Sequence, residues 1–165
     1  MHKVLVLGAG KIGSLISGLL AETGDYEVHV ADVNASVARS VVAAHDLDQL
    51  RAFGFDAGNA EALAAHLRAH PVEAVVSSLP YYCNVAVAEA ARAAGTHYFD
   101  LTEDVAVTRG VRRVAEGAET AFVPQCGLAP GFISIAANAL IAHFDELRSV
   151  KLRVGALPQH PNNVL

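Results

Sequence analysis

The 165-residue sequence contains no tryptophan, one methionine and only two cysteines, and aromatic types make up 6% of it. Cys83 and Cys126 lie far apart, and neither belongs to a CxxC pair or a cluster of metal ligands, which favours a reducing, cytoplasmic compartment and predicts no metal site. Charged residues are also sparse, at 18% against about 25% in a typical soluble domain. Hydrophobic types reach 53%, and alanine fills 31 positions. Such a chain can bury enough apolar surface to offset its conformational entropy, which excludes intrinsic disorder.

Long hydrophobic runs and an excess of positive charge are missing as well. No apolar run reaches about 18 residues, so the sequence predicts no membrane-spanning segment. The apolar run 4–7 meets glycine too early to form the core of a signal peptide. Twelve basic residues face seventeen acidic ones, and the net charge of −5 comes without a basic stripe, so no nucleic-acid partner is expected. The length fits one domain of roughly 100–200 residues.

Apolar runs of strand length alternate with amphipathic segments along the chain. The runs predict strands at 3–7, 27–31, 53–56, 74–77, 97–101 and 120–123. The amphipathic segments predict helices at 11–22, 34–45, 60–70, 84–94, 104–117 and 132–143. In the first helix the residues expected to form the buried face are Ile12, Leu15, Ile16, Leu19 and Leu20. This alternation predicts an α/β fold with a doubly wound, mostly parallel sheet covered by helices on both faces, in three α/β/α layers.

The turn between the first strand and the first helix carries a GxGxxG pattern, spelled Gly8-Ala9-Gly10-Lys11-Ile12-Gly13. Such a pattern is meaningful where it follows a strand and opens a helix, as it does here. Gly8 allows the tight turn, Gly10 lets the backbone approach a pyrophosphate, and Gly13 lets the helix pack against the strand. The free N–H groups at the helix start bind the anion. The turn therefore predicts a dinucleotide-binding site, against the alternative of an ordinary strand–turn–helix.

A carboxylate follows at the end of the second predicted strand, where Asp32 stands 19 residues after Gly13. A carboxylate in this place accepts hydrogen bonds from the adenosine ribose and repels a 2′-phosphate, which favours NAD over NADP. Arg39, a turn or more into the next helix, leaves NADP open as an alternative.

Two later strand ends complete the predicted site, because the ligands of such sheets lie beyond the carboxyl ends of the strands. Asp56 and Ala57 follow the third strand, where the carboxylate would either reach the adenine amino group or cap the next helix, and both interpretations stay open. The fourth strand ends in Ser77-Ser78-Leu79-Pro80, where the backbone would pass beside the nicotinamide ribose.

Further residues at the same edge are candidates for a substrate pocket. Tyr81 and Tyr82 suggest a pocket wall, although one of them could instead pack in the core. Asp100 and Glu103 could bind a substrate ammonium group or cap the next helix. Cys126 could face the cofactor, against the alternative of a buried, inert thiol.

Two histidines, His66 and His70, stand four residues apart on the third predicted helix. The spacing suits a pair of metal ligands, but no third ligand is near in sequence and the glutamate of a zinc-protease motif is missing. Both are therefore expected on a helix surface, without a metal.

Together these motifs resemble the saccharopine dehydrogenase-like family, and within it most of all the L-lysine 6-dehydrogenase branch. The resemblance follows the chain in order through the glycine turn, the strand end 31–34, the Asp56 turn, residues 77–81 and the run 95–101. The two most distinctive segments are Cys126-Gly127-Leu128-Ala129-Pro130-Gly131 and Val154-Gly155-Ala156-Leu157-Pro158-Gln159. The matching segments extend over essentially the whole chain.

The resemblance implies an NAD(P)-binding Rossmann domain, residues 1–149, followed by a catalytic and dimerisation domain that 150–165 would begin with a strand at 150–154. The candidate cofactor contacts, from the motifs and the resemblance together, are Gly8, Ala9, Gly10, Lys11, Ile12, Gly13, Asp32, Val33, Asn34, Asp56, Ala57, Ser77, Ser78, Leu79 and Pro80. Tyr81 and the segment 127–131 would border the reacting centre. The turn at Pro130 and Gly131 starts a helix, which could bind a substrate carboxylate.

The function predicted from these implications is the cofactor-binding part of a cytoplasmic, NAD-dependent amino-acid dehydrogenase that is a homodimer as the full-length protein. Hydride would pass between the nicotinamide and the amine-bearing carbon of lysine or a lysine-derived amino acid. The reaction needs a general base, but the sequence assigns no catalytic residue.

Two alternatives stay open because a fold does not fix a function. One is a non-catalytic, NAD(P)-sensing regulatory module, and the other is a reductase of a different imine or aldehyde. Residues 158–165 are expected to mark a boundary just past the first strand of a second domain. The chain by itself is then expected to bind cofactor without turning over substrate.

Overall fold

The computed structural model describes residues 1–155, which form six strands and six α-helices. The strands are β1 His2–Leu7, β2 Tyr26–Asp32, β3 Leu50–Gly54, β4 Ala74–Ser77, β5 His97–Asp100 and β6 Phe122–Val123. The helices are α1 Lys11–Glu22, α2 Ala35–His45, α3 Ala60–Ala69, α4 Asn84–Ala94, α5 Val105–Ala115 and α6 Phe132–Ile141, and a 3-10 turn spans Tyr81–Cys83. None of the helices in the described residues is long and apolar enough to cross a membrane.

All six strands run parallel, in the spatial order β3-β2-β1-β4-β5-β6. The chain builds outward from β1 to β3, then returns to the other side of β1 to build β4, β5 and β6. The neighbouring strands β1 and β4 therefore lead into helices on opposite faces of the sheet. This switch in direction opens a crevice at the carboxyl ends of β1 and β4, where α/β sheets bind their ligands.

The pleat of β1 divides the core into two clusters, because successive side chains of a strand point to opposite faces. Val4 and Val6 pack beneath α1 and α2, while Leu5 and Leu7 pack beneath α3, α4 and α5. The helical residues of the two clusters include Ala21, Ala38 and Val41 on the first face and Leu63, Val87 and Val111 on the second. Full burial of such an aliphatic side chain stabilises the fold by about 1.5–3 kcal/mol. The predicted three-layer α/β/α fold is confirmed.

Helix α1 meets the sheet through small residues rather than through the large ones expected. Its buried residues are Gly13, Ser17, Gly18 and Ala21. Ile12, Leu15 and Leu19 are instead 53–56% exposed, so the predicted buried face is wrong for these three, while Ile16 and Leu20 are half-buried. The physical reason is distance, since a stripe without bulky side chains lets α1 approach β1 closely enough for Gly13 to touch the turn that precedes it.

Most predicted elements lie within two residues of their observed ends, but two do not. Strand β3 begins at Leu50 rather than at 53, because its pairing with β2 starts at the Val28–Leu50 pair and buries Leu50. No strand forms at 150–154, since this segment pairs with none of the six strands and a strand needs a neighbour for its backbone hydrogen bonds. Residues 156–165 lie outside the described part of the chain, so the domain division at 149 stays a prediction.

His66 is buried, contrary to the expectation of a surface position, whereas His70 is exposed. The His66 ring stacks on Phe55 with 4.4 Å between ring centres and meets Phe53 edge-on at 4.7 Å. Its Nε2 and the Nδ1 of His29 on β2 are buried without a hydrogen-bond partner among the described residues. Burial, together with the neighbouring His70 and His29, lowers the pKa of His66 to about 4. No three metal-ligating side chains converge in residues 1–155.

Acidification should therefore weaken the fold, and His66→Leu should remove much of this weakening. Because the pKa of His66 falls from 6.5 to about 4 on folding, the unfolded chain binds more protons between these values. The stability that the neutral ring contributes is present above pH 6.5 and lost as the pH falls toward 4, by about 1–3 kcal/mol. Urea unfolding at pH 7 and pH 5 measures the difference. His143→Gln, at an exposed histidine, is the matched control, and a His66→Leu chain as acid-sensitive as the wild type would contradict the assignment.

Candidate functional site

The glycine turn stands at the carboxyl end of β1, on the crevice between β1 and β4. Gly8 has a φ of +92°, and a side chain there would press on the Ser78 backbone and hydroxyl. A side chain at Gly13 would collide with the carbonyl oxygen of Gly8, whereas a Cβ at Gly10 would meet nothing within 4 Å. Gly8 and Gly13 are thus required by the protein's own packing. The small size of Gly10 leaves open space on the outer side of the turn.

The start of α1 presents free hydrogen-bond donors to this space. The backbone N–H groups of Gly10, Lys11, Ile12 and Gly13 have no acceptor among the described residues. Gly10 is the N-cap residue, and with no side chain it cannot satisfy these donors, as Asn34 and Asn59 do for α2 and α3. Free N–H groups and the positive end of the helix dipole together form an anion-binding site. A pyrophosphate fits this site in charge and in hydrogen bonding.

Asp32, the last residue of β2, lies beside the glycine turn. Its Oδ2 accepts a hydrogen bond of 2.9 Å from the N–H of Ala9, and its Oδ1 accepts one of 2.9 Å from the N–H of Asn34. A carboxylate oxygen accepts two hydrogen bonds, so each oxygen keeps one acceptor position. Among the described residues no lysine or arginine forms a salt bridge with Asp32. The carboxylate therefore braces the turn and can still accept hydrogen bonds from a diol. Val33 next to it is 74% exposed.

Asp56 lies in the turn between β3 and α3, and its side chain is engaged locally. Its Oδ1 accepts a hydrogen bond of 2.9 Å from the N–H of Gly58. The N-cap of α3 is Asn59, which accepts from two N–H groups, so the interpretation of Asp56 as the helix cap is wrong. Ala57, also expected at the cofactor, packs against the core. The pKa of Cys83 is raised by burial and by the negative charge of Asp56.

The segment after β4 runs along the other wall of the crevice. The N–H of Ser78 donates to the carbonyl of Leu7 at 2.9 Å, and its hydroxyl donates to the same oxygen at 2.9 Å. Ser78 thereby ties the end of β4 to the end of β1. Leu79 packs against the core and Pro80 is exposed.

Tyr81 and Tyr82 follow on the 3-10 turn and are 48% and 72% exposed, with their rings edge-on at 5.8 Å. Neither ring is buried in the core, so the core-packing alternative is wrong for both. They leave an aromatic surface at the rim of the crevice, which is the position expected of a pocket wall.

Asp100 does not face a pocket. It is fully buried at the end of β5, where its Oδ2 accepts from the Tyr98 hydroxyl at 2.7 Å and its Oδ1 accepts from the N–H groups of Thr102 at 2.9 Å and Gln125 at 3.2 Å. The expectation that Asp100 binds a substrate ammonium group is therefore wrong, because the carboxylate is fully buried and both of its oxygens are held by donors inside the protein. Burial and the nearby Asp100 charge raise the pKa of Tyr98, which keeps the hydroxyl protonated as a donor.

Glu103 is exposed at the same rim, and its carboxylate has no hydrogen-bond or salt-bridge partner in residues 1–155. Neither it nor Asp100 caps α5, because the cap is Asp104, whose Oδ1 accepts from the N–H of Val107 at 2.8 Å. Of the two acidic candidates for the substrate pocket, only Glu103 thus remains accessible.

The turn 127–131, which ends in the cis Ala129–Pro130 peptide and Gly131, closes on itself. The N–H groups of residues 132–134, the first three of α6, each donate to a carbonyl of this turn at 2.8–3.0 Å. The predicted carboxylate site at this helix start is therefore wrong, because the donors that it requires are occupied. Gly127 and Gly131 serve packing, since a side chain at Gly131 would collide with Gly127.

Cys126, just before this turn, is exposed rather than buried, and its thiol donates to the carbonyl of Val123 at 3.3 Å. Burial of the sulfur and the charge of Asp100 raise its pKa, so the thiol stays protonated at neutral pH. A protonated thiol is a weak nucleophile and metal ligand. The alternative of a buried thiol is therefore wrong, and the alternative that Cys126 faces the cofactor stays a prediction.

Sequence reasoning missed Thr102 and Gln125, which donate to Asp100, and Asn84, which bonds its neighbours Ser77 and Tyr98. Ser77 donates its hydroxyl to Asn84 Oδ1 at 2.7 Å, and both side chains are buried beside Tyr98 and Asp100. A usable signal was present in β5, where Tyr98 and Asp100 alternate with an apolar residue and so share one face of the strand. Two polar side chains on a buried strand face need each other as hydrogen-bond partners.

The open start of α1, the braced turn and the carboxylate at the end of β2 surround one crevice of a doubly wound parallel sheet. This combination defines a Rossmann-type dinucleotide-binding domain. Residues 4–123 match the family described as the saccharopine dehydrogenase NADP binding domain, and the chain belongs to this family. The cofactor is a nicotinamide dinucleotide, NAD or NADP.

Solved structures share this fold. The saccharopine dehydrogenase (L-Glu forming) of Saccharomyces cerevisiae superposes with a TM-score of 0.74 at 22% identity, covering 87% of this chain and 31% of that one. A myo-inositol dehydrogenase of Corynebacterium glutamicum gives 0.63 at 19% identity, covering 87% and 41%. A prephenate dehydrogenase of A. aeolicus, solved with NAD+, gives 0.57 at 16% identity, covering 75% and 41%. The chain thus spans less than half of each of these proteins.

Two glycine substitutions should separate packing from cofactor binding. Gly13→Ala would drive a methyl group into the Gly8 carbonyl and should lower the free energy of unfolding by about 1–3 kcal/mol. Gly10→Ala meets no protein atom, so it should leave the fold intact and weaken NADH binding, because the methyl group fills the space left for the pyrophosphate. Thermal unfolding and NADH fluorescence titration give the two readouts. Undiminished NADH affinity in Gly10→Ala would place the cofactor elsewhere.

Proposed function

We propose that this chain is the cofactor-binding part of an NAD(P)-dependent oxidoreductase acting on the CH–NH group of lysine or a lysine-derived amino acid. One observation carries the cofactor part of the proposal: α1 begins with four unpaired N–H groups above a turn in which Gly10 leaves open space. The reaction class rests on membership of the saccharopine dehydrogenase NADP binding domain family. The lysine branch rests on the sequence segments at 126–131 and 154–159.

The residues of this chain bind and orient the cofactor, whose nicotinamide ring, when bound, accepts or gives up a hydride. The start of α1 would hold the pyrophosphate, and Asp32 would accept hydrogen bonds from the adenosine ribose. Residues 77–80 would border the nicotinamide half of the crevice. Tyr81, Tyr82 and Glu103 are the accessible side chains that would face the amino-acid substrate.

We further propose that the full-length protein is a cytoplasmic homodimer with a second, substrate-binding domain. Support comes from the apolar surface around α6, which has no buried residue and leaves Phe132 and Ile135 63% and 71% exposed. A surface of this kind is typical of a face that another domain or subunit covers. The predicted homodimer and second domain would account for it.

NAD is proposed as the preferred cofactor, although the family is described by NADP. Both oxygens of Asp32 are fixed by backbone N–H groups, so the carboxylate cannot turn away from a 2′-phosphate without losing these bonds. No salt bridge among the described residues offsets its charge. Arg39 lies on an exposed face of α2, beyond the first turn of that helix.

Asp32→Ala should lower NADH affinity about 10- to 100-fold, the loss expected for hydrogen bonds to a charged acceptor. NADPH affinity should fall less, because the same change removes the repulsion of the 2′-phosphate. Fluorescence titration with both nucleotides measures the ratio, and Asp25→Asn, in the turn before β2 at the opposite edge of the sheet, is the matched control. If the wild type preferred NADPH, the assignment of NAD would be wrong.

The reaction itself is tested with the complete encoded polypeptide. Reduction of NAD and of NADP is followed at 340 nm with L-lysine, saccharopine and related amino acids. Turnover of one of them supports the proposal and identifies the substrate. NADH binding without turnover of any would favour the regulatory module instead, and the absence of NADH binding would overturn both.

A further inference from the structure

The reactive half of the crevice is bordered by three loops that have little secondary structure of their own. They are the segment 78–83 after β4, the segment 101–104 after β5 and the segment 124–131 after β6. Strand β6 is only two residues long, so pairing of strands alone holds the last loop weakly. These loops lie on the side of β1 away from β2, where the nicotinamide half of a dinucleotide lies in this fold.

One buried group of side chains reaches all three loops. We call Ser77, Asn84, Tyr98 and Asp100 the Asp100 network; each of the four is at most 1% exposed. Ser77 and Asp100 pair directly across β4 and β5. Asn84 begins α4 and so ends the first loop; its Oδ1 accepts from Ser77 at 2.7 Å, and its carbonyl lies 3.2 Å from the Tyr98 hydroxyl.

Asp100 itself holds the other two loops. Its carboxylate accepts from the N–H of Thr102 and of Gln125, and its backbone carbonyl accepts from the N–H of Cys126 at 2.7 Å. Gln125 has a φ of +66°. Residues other than glycine rarely adopt this backbone conformation, and it needs support from its surroundings. Two hydrogen bonds to Asp100 supply this support at the point where the turn 127–131 begins.

The buried carboxylate of Asp100 restricts how far the two loops can move. No salt bridge to Asp100 exists among the described residues, so the carboxylate depends on these hydrogen bonds for its solvation. Displacing either loop would leave a buried charge with an unused acceptor, which is costly. The turn 127–131 that follows is also held in place, because its carbonyl oxygens accept hydrogen bonds from the first N–H groups of α6.

We propose that Asp100 is a positioning residue, which through the Asp100 network fixes the loops at the nicotinamide half of the site. The inference rests on the proposed function, since it assumes that a nicotinamide cofactor occupies the crevice. Asp100 touches neither cofactor nor substrate; it acts through Gln125 and the turn 127–131. The adenosine half, held by the glycine turn and Asp32, does not depend on it.

The test compares two ligands on the full chain, NADH and ADP-ribose, which lacks the nicotinamide. Asp100→Ala should weaken NADH about tenfold, as expected when one or two positioned hydrogen bonds are lost, and should change ADP-ribose affinity less than twofold. Asp100→Asn should behave nearly as the wild type, because its amide oxygen can still accept from Thr102 and Gln125 while Tyr98 donates to the Asn84 carbonyl. Fluorescence titration and calorimetry give the affinities.

Asp104→Ala is the matched control, because it removes the cap of α5 in the same region and so reports the effect of lost stability alone. Equal weakening of NADH and ADP-ribose in Asp100→Ala, or the same selective loss in Asp104→Ala, would overturn the positioning role. Failure of the wild type to bind either ligand would overturn the proposed function instead. If Asp100→Ala does not fold, Gln125→Gly is the second variant, because it relieves the strained φ without changing the Asp100 carboxylate. We expect this variant to keep the wild-type ratio of NADH affinity to ADP-ribose affinity. A selective loss of NADH affinity would support a direct contact by the Gln125 side chain and contradict the inference.

Discussion

The close approach of α1 to β1 is the contact on which the site depends. It is possible only because the helix presents Gly13, Ser17, Gly18 and Ala21 to the sheet. At this distance the turn between strand and helix must be tight, which Gly8 permits with its positive φ. The helix axis is thereby directed so that the first N–H groups of α1 open onto the crevice at the switch between β1 and β4. Bulky residues on the same face would bury more apolar area but would move the helix start away from the crevice.

Two helices that begin at the same edge of the sheet show why this geometry matters. Both α1 and α6 follow a glycine, and both lack a side-chain cap. The turn before α6 folds back so that its own carbonyls accept from the first N–H groups, which leaves none for a ligand. Before α1 the chain leaves directly from β1, and no carbonyl of residues 1–155 accepts from those donors. A helix start therefore binds an anion only where the preceding backbone leaves its N–H groups free.

The residues whose roles could be predicted from the sequence are those at positions where the fold admits few other residue types. Gly8 and Gly13 stand at positions where any side chain would collide with backbone, so their spacing predicts the turn. The pattern of apolar residues predicts the strands and helices of the sheet, because the spacing of buried positions in each element follows from its backbone geometry. The buried face of α1 was not predictable in the same way. Hydrophobic spacing selects large residues, whereas this helix packs through small ones and leaves Leu15 and Leu19 exposed.

Residue type also says little about whether a polar group is buried, and here the errors were largest. Asp100 was expected to bind a substrate or cap a helix, and His66 was expected on a helix surface, but both are buried. Their burial was decided by distant partners, since Gln125 comes 25 positions after Asp100 and Phe55 lies on a different element from His66. The alternation in β5 places Tyr98 and Asp100 on one strand face, but a local pattern does not report these more distant partners.

The fold treats its two kinds of buried polar group in opposite ways. Around Asp100 both carboxylate oxygens are hydrogen-bonded. One donor lies on its own strand, one in the loop after β5 and one in the loop after β6, and the result is a fixed arrangement of loops. Around His66 the rings pack against Phe53 and Phe55 while a nitrogen stays without a partner, so the contact is stable only with a neutral ring. A satisfied network specifies geometry, and an unsatisfied pair makes stability depend on pH. Since the satisfied network lies at the crevice and the unsatisfied pair lies under α3, the structure is most strictly specified where a ligand would have to be held in one orientation.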